Sequence, residues 1–100
     1  MRKKILEIII RSAGLINSTL DDKLPIEQVE ACPLYGDSST LDSISLVTLI
    51  VYVEQGIEDQ FDIPVIIANE KAMSRRSSPF LTIGTLTDYA LELVEEHKHG

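Results

Sequence analysis

The chain has 100 residues, a length typical of one small domain. Its hydrophobic fraction of 44% favours a folded globular domain, and the absence of Trp predicts a core made mostly of Ile, Leu and Val. The formal net charge of −7 is concentrated in residues 21–70, which hold eleven acidic residues and one lysine. Such a surface disfavours binding to nucleic acid or to an anionic membrane, although acidity also simply keeps small proteins soluble.

Cysteine and histidine usage limits the chemistry that the chain can perform. Cys32 is the only cysteine, so an internal disulfide is excluded, and we interpret it as a small hydrophobic residue in a loop. Both histidines, His97 and His99, stand in the last four residues, and no cysteine–histidine cluster exists in the sequence. A metal site is therefore not expected.

The start of the chain superficially resembles a signal peptide, because three basic residues precede the apolar run 5–10. Glu7 interrupts this run and Arg11 ends it, which makes it too short and too charged for that role. No segment of the sequence is long and apolar enough to span a bilayer. We therefore expect a cytoplasmic protein without membrane insertion.

The first helix is predicted over residues 2–17, with a helical spacing of apolar residues that defines its core face: Ile5, Ile8, Ile9, Leu15 and Ile16. Residues 18–41 contain Pro25, Pro33 and Gly36 and predict a long irregular loop. We expect this loop to pack on the helices through scattered apolar residues: Leu24, Ile26, Val29, Leu34 and Tyr35.

The second helix is predicted over residues 43–60, because Asp42 and Ser43 favour a helix start and Pro64 favours a stop. Its apolar stripe is expected to face the core: Leu46, Leu49, Ile50, Val53, Ile57 and then Phe61. The opposite side is expected to be polar: Ser45, Thr48, Tyr52, Gln55 and Asp59. A third set lies between these two and changes from apolar to acidic along the helix: Ile44, Val47, Val51, Glu54 and Glu58.

Two further helices complete the prediction. A short third helix is expected over residues 68–73, followed by a polar break that contains Arg75 and Arg76. The last helix is expected over residues 83–96, with residues 97–100 as a frayed tail, and with these inward residues: Ile83, Leu86, Ala90, Leu93 and Val94. No strand pattern of any strength exists, so the chain is predicted to be an all-α four-helix bundle forming a single domain over residues 1–100.

The segment Leu41-Asp42-Ser43-Ile44 resembles the phosphopantetheine-attachment segment of acyl carrier proteins. The resemblance continues through the apolar run 46–50 and the Glu-x-x-Phe-x-Ile pattern at 58–63, and it extends over nearly the whole chain. It implies an acyl-carrier type of bundle, with a long first loop and a short third helix. It also favours Thr82 as the cap of the last helix, whereas Thr85 and Asp88 alone match a capping box one turn later.

The resemblance implies that Ser43 carries a covalent 4'-phosphopantetheine arm, transferred from coenzyme A by a phosphopantetheinyl transferase, with Asp42 as part of the attachment motif. The arm would hold an acyl group as a thioester and present it to partner enzymes of fatty-acid, polyketide or lipid-type biosynthesis. A nucleophilic enzyme serine needs a base within hydrogen-bond reach and an oxyanion hole. Asp42 is adjacent but has no histidine to act through, because both histidines stand in the tail, so we do not expect an enzyme. The alternative reading of Ser43 is an ordinary residue in the first helical turn.

The predicted partner-recognition residues follow Ser43 on one flank of the second helix: Ile44, Val47, Val51, Glu54 and Glu58. The simpler alternative is that Ile44 and Val47 close the edge of the core. Thr48 stands where fatty-acid carriers commonly have Glu, which suggests a specialised, free-standing carrier with dedicated partners. Arg75 and Arg76 would contact a partner or the arm's phosphate, or are solvated loop charges.

The expected partners are the transferase, an acyl- or aminoacyl-activating enzyme, and acyltransferases or synthases, with the chain itself a monomer. Two alternatives stay open from the residues alone. One is an aminoacyl or D-alanyl carrier that works by the same mechanism, because the cargo is chosen by the loading enzyme. The other is an acidic helical adaptor whose Ser43 is never modified.

Overall fold

The computed structural model describes residues 2–19, 25–34, 43–67 and 80–99. These residues form an all-α structure with helix α1 at Arg2–Asn17, the 3-10 helix η1 at Ile26–Ala31, helix α2 at Ser43–Phe61 and helix α3 at Ile83–His99. The predicted helices at 2–17, 43–60 and 83–96 are confirmed, with α2 extended to Phe61 and α3 extended to His99. The short helix predicted at 68–73 and the Arg75-Arg76 break lie outside the described residues.

Helix α1 is the central element, because it packs against α2, α3 and η1. Its core face is built from the predicted isoleucines together with two small residues that the apolar pattern missed, Ser12 and Ala13. Ser12 is tolerated in the core because its hydroxyl donates a hydrogen bond of 2.8 Å to the Ile8 carbonyl oxygen. The prediction for Leu15 was wrong: it is 55% exposed, because it lies at the edge of the stripe that Ile5, Ile9 and Ile16 define and lines the open groove between α1 and α2.

Helix α2 buries the stripe that its spacing predicted: Leu46, Leu49, Ile50, Val53 and Ile57, with Phe61 partly buried. The helix ends at Asp62, which adopts a left-handed backbone with φ of 57° and donates its N–H to the Glu58 carbonyl oxygen at 2.8 Å. The chain then turns away before Pro64, where the helix was expected to stop.

Gly56 sets how closely α1 and α2 approach. A Cβ atom at this position would lie 2.6 Å from the Cγ2 methyl of Ile8, well inside van der Waals contact. Glycine lowers the helix propensity of α2 by about 1 kcal/mol relative to alanine. The close approach of α1 is the physical reason for glycine at this position.

The described part of the predicted loop 18–41 is more regular than predicted. Residues 26–31 form η1, and the next residues pair with the start of α3: the Leu34 N–H donates to the Leu81 carbonyl at 2.8 Å, and the Ile83 N–H donates to the Cys32 carbonyl at 3.0 Å. Cys32 and Leu34 are fully buried, as their predicted packing roles require, and Ile26 is partly buried. The prediction for Val29 was wrong, because its side chain is exposed; Leu24 and Tyr35 lie outside the described residues.

Helix α3 begins with a reciprocal cap. The Thr85 N–H donates to the Thr82 hydroxyl at 3.1 Å, and the Thr82 N–H donates to the Thr85 hydroxyl at 3.0 Å. The backbone N–H groups of Thr82 and Thr85, which have no partner within the helix, are thus hydrogen-bonded, and this confirms Thr82 as the N-cap. The predicted inward residues are buried or, for Leu93, partly buried, and the pattern missed two further core residues, Tyr89 and Thr87.

The frayed tail predicted for residues 97–100 was wrong for His97, Lys98 and His99, which continue α3. No glycine or proline interrupts the sequence between Glu96 and Gly100. Basic side chains also interact favourably with the negative end of a helix dipole. Both effects favour helix in these residues.

Candidate functional site

The amino end of α2 contains the residue that the sequence singled out. Ser43 is the first residue of the helix, so the unpaired N–H groups of the first turn lie around it. This end of the helix also carries the positive end of the macrodipole, which favours a negatively charged group. Asp42 lies outside the described residues.

Three large apolar side chains on α2 are left in solvent. Ile44 is 78% exposed, Val47 58% and Val51 42%, and we call these three residues the apolar flank. Their spacing of three and four residues puts them on one side of the helix, beside the buried stripe. These exposures argue against the simpler reading in which Ile44 and Val47 close the edge of the core. The apolar flank begins directly after Ser43.

The two predicted acidic residues of this flank have different surroundings. Glu58 is exposed one turn beyond Glu54. Glu54 is partly buried, and its carboxylate accepts a hydrogen bond of 2.7 Å from the N–H of Ile67, a fully buried residue. Glu54 therefore holds the segment after α2 against the helix, while Glu58 is available at the surface.

The charged residues of α2 are all negative. Helix α2 contains no lysine or arginine in its sequence, and Glu58 is followed by the exposed Asp59 and Asp62. An apolar surface that continues into an acidic one is suited to a partner with an apolar contact and a basic rim.

A half-open groove of ≈ 310 Å³ runs along the other side of α2, where the helix meets α1. We call the α2 residues that line it the α1-side flank: Tyr52, Gln55, Gly56 and Asp59. Arg11 and Leu15 line the groove from α1. Gln55 lies four residues from Val51, so the groove borders the apolar flank there, while Tyr52, Gly56 and Asp59 lie further round the helix.

Ionic contacts of α1 were not visible in the sequence pattern. Arg2 donates hydrogen bonds to Glu30 of η1 and to Asp88 of α3, the latter at 2.8 Å. These carboxylates raise the pKa of the Arg2 guanidinium, with Glu30 contributing most. Asp88 is 86 residues away, so periodicity along one helix cannot reveal the contact. Burial raises the pKa of the Cys32 thiol, and the charge of Glu27 raises it further.

Metal ligation and membrane insertion are two further properties on which these residues bear. Within residues 2–19, 25–34, 43–67 and 80–99, no group of three or more His, Cys, Asp or Glu side chains is placed to hold a metal ion. None of the helices formed by these residues has the length and apolar character needed to cross a membrane. Both histidines are in the carboxyl-terminal turns of α3.

Comparison of the chain with protein-family models, with curated proteins and with solved structures gave no match.

Proposed function

We propose that this chain is a cytoplasmic carrier protein that holds an acyl group on a 4'-phosphopantetheine arm attached to Ser43. It would present the group to partner enzymes in fatty-acid, polyketide or lipid-type biosynthesis. The observation that carries the proposal is the position of Ser43: the serine of the attachment-like sequence is the first residue of α2, and the apolar flank follows it in solvent. A serine in an ordinary helical turn does not require three exposed apolar side chains beside it.

The amino end of α2 fits the arm on chemical grounds. A phosphodiester on Ser43 would carry a negative charge at the helix end where unpaired N–H groups and the dipole favour one. The terminal thiol of the arm supplies the thioester chemistry once the arm is attached.

The role of Ser43 is to supply the hydroxyl oxygen for attachment. In the transfer step, this oxygen forms a bond to the β-phosphorus of coenzyme A. The bond from that phosphorus to adenosine 3',5'-bisphosphate breaks, and the hydroxyl proton is released to the base of the transferase. Mg²⁺ bound by the transferase would stabilise the charge on the phosphoryl oxygens.

The apolar flank and Glu58 are the surface that we assign to the partner enzymes. Exposed carboxylates steer a basic partner toward the helix, and the apolar side chains contribute affinity once the partner has docked. The transferase, the acyl-activating enzyme, and the acyltransferases or synthases would use this surface in turn, with the carrier as a monomer.

The deciding measurement is the intact mass of the protein after incubation with coenzyme A, Mg²⁺ and a promiscuous phosphopantetheinyl transferase. A gain of about 340 Da, the mass of the arm, is expected for the native sequence and for the Ser45→Ala control. Ser43→Ala should show no gain while keeping its helical circular dichroism. A gain in Ser43→Ala would contradict the attachment site.

No gain with several transferases would contradict the carrier function. It would favour an unmodified helical adaptor, for which the exposed apolar flank is sufficient in itself. If the gain occurs, incubation of the loaded protein with acyl- and aminoacyl-activating enzymes distinguishes an acyl carrier from an aminoacyl or D-alanyl carrier.

A further inference from the structure

The 3-10 helix η1 lies on the outside of the bundle. In the described part of the chain it packs against α1 and α3 and makes no contact with α2. None of its residues is fully buried and Ile26 is only partly buried against the core, so burial of apolar side chains is a limited part of what holds it in place. Its position must depend on other attachments.

One attachment is the backbone pairing that follows η1. Cys32 and Leu34 bond to Ile83 and Leu81 through the main chain, and Pro33 forms an isolated bridge with Thr82. The side chains of Cys32 and Leu34 are fully buried. This pairing fixes the carboxyl end of the segment to the start of α3.

The other attachment is ionic. Arg2, at the amino end of α1, bonds to Glu30 of η1 and to Asp88 of α3, so one side chain joins three elements. A positive charge at a helix amino end is opposed by the dipole, and the two carboxylates offset this. All three side chains are partly exposed, which makes the contact sensitive to salt.

The backbone of η1 is strained between these attachments. Val29 has φ of 55° and ψ of −112°, a conformation that β-branched residues rarely adopt, and its exposed side chain gains little in return. Glu30 lies tightly on α3, since a Cβ at position 84 would be 3.0 Å from its carbonyl oxygen. In this position, η1 therefore has a strained backbone at Val29 and packs tightly against α3 at Glu30.

We infer that η1 is a local cover where α1 packs against α3, held closed by the contacts of Arg2 with Glu30 and Asp88, and that salt opens it while the bundle stays folded. Opening uncovers the Cys32 thiol. Cys32 directly follows η1, and its N–H donates to the Val29 carbonyl oxygen of η1 at 3.2 Å, so η1 lies beside this residue when closed. The inference does not depend on the proposed function.

The test is the rate at which Cys32 reacts with 5,5'-dithiobis(2-nitrobenzoate). The protein is used without the arm, because the arm would add a second thiol to the single cysteine of the chain. Arg2→Gln should react about three- to tenfold faster than the native sequence, as expected from the loss of two exposed ion pairs. Lys3→Gln is the matched control, because Lys3 is an exposed neighbour of equal charge, and its rate should not change.

The dependence of the reaction rate on salt is the second part of the test. Raising NaCl from low to near-molar concentration screens the repulsion between the anionic reagent and the acidic protein in every variant. Beyond this common effect, the reaction of the native protein and of Lys3→Gln should accelerate severalfold more than that of Arg2→Gln. Urea unfolding of each variant gives the reaction rate that results from global unfolding alone. The inference is overturned if Cys32 reacts only at that rate, or if Arg2→Gln and Lys3→Gln react alike. If Arg2→Gln fails to fold, Glu30→Gln, which removes one of the two contacts, takes its place.

Discussion

The two flanks of α2 meet opposite surroundings. The α1-side flank is polar or small, yet it meets another helix, and a methyl group added at Gly56 would collide with the side chain of Ile8. The apolar flank carries Ile44, Val47 and Val51, yet all three are exposed. These apolar side chains thus lie on a side of α2 where they are exposed to solvent and not packed in the core.

This distribution indicates that the apolar flank contributes little to the stability of the fold. Full burial of one such side chain stabilises a protein by about 1.5–3 kcal/mol, and the fold forgoes this for three side chains. Contiguous exposed apolar residues beside acidic ones are typical of an interaction surface. The difference between the flanks leads us to expect that substitutions on one affect partner binding and substitutions on the other affect stability.

Val47→Glu should give the largest effect on partner binding. A charge at the centre of the apolar flank should lower the kcat/KM of the transferase by ten- to hundredfold, or roughly 1.4–2.8 kcal/mol, as for a central interface residue. The free energy of unfolding should change by no more than about 0.5 kcal/mol, because Val47 is exposed. Transfer kinetics by mass spectrometry and urea unfolding measure the two quantities.

Tyr52→Glu is the control for this prediction. Tyr52 is also half-exposed, at 38%, but it lies on the α1-side flank. Its replacement introduces the same charge on the same helix and should leave transfer unchanged within about twofold. Equal losses in the two variants would mean that net charge, and not the apolar flank, determines recognition.

The features that the sequence predicted are those that depend on neighbours along the chain. The buried stripe of α2 follows from a period of 3.6 residues. The spacing alone left open whether Ile44 and Val47 close the edge of the core. It also matched a cap at Thr85, so the correct prediction of Thr82 came from the resemblance. Leu15 was misassigned because its position puts it at the edge of the stripe that Ile9 and Ile16 define, and residues at an edge are only partly covered.

The features that the sequence did not predict depend on distant pairs. The contact of Gly56 with Ile8 requires the approach of two helices, and the bond from Ile67 to Glu54 requires the path of the chain after α2. Arg2 and Asp88 come from opposite ends of the sequence. The reading of Glu54 as a surface recognition residue is the one that the structure changes most, because its carboxylate has a structural partner.

Gly56→Ala should give the largest effect on stability without affecting transfer. Overpacking against Ile8 costs about 1–3 kcal/mol, and the gain in helix propensity returns up to about 1 kcal/mol. We therefore expect a net loss of about 1–2 kcal/mol in the free energy of unfolding. Gly14→Ala is the matched control, because a Cβ at that position meets nothing within 4 Å. It should stabilise the protein by about 0.5–1 kcal/mol, and the same sign in both variants would refute the close packing at Gly56.

Glu58→Lys should give the smallest effect, and it separates the two acidic residues of the flank. Reversal of an exposed charge should slow transfer by about two- to fivefold at low salt, with the difference vanishing at high salt and stability unchanged.

Glu54→Lys should slow transfer too, but it should also destabilise the protein by about 1–2 kcal/mol, because the buried N–H of Ile67 loses its acceptor. If Glu54→Lys were as stable as Glu58→Lys, the bond to Ile67 would have no role in holding the segment after α2. If Glu58→Lys transferred normally at every salt concentration, partner recognition would rest on the apolar flank alone.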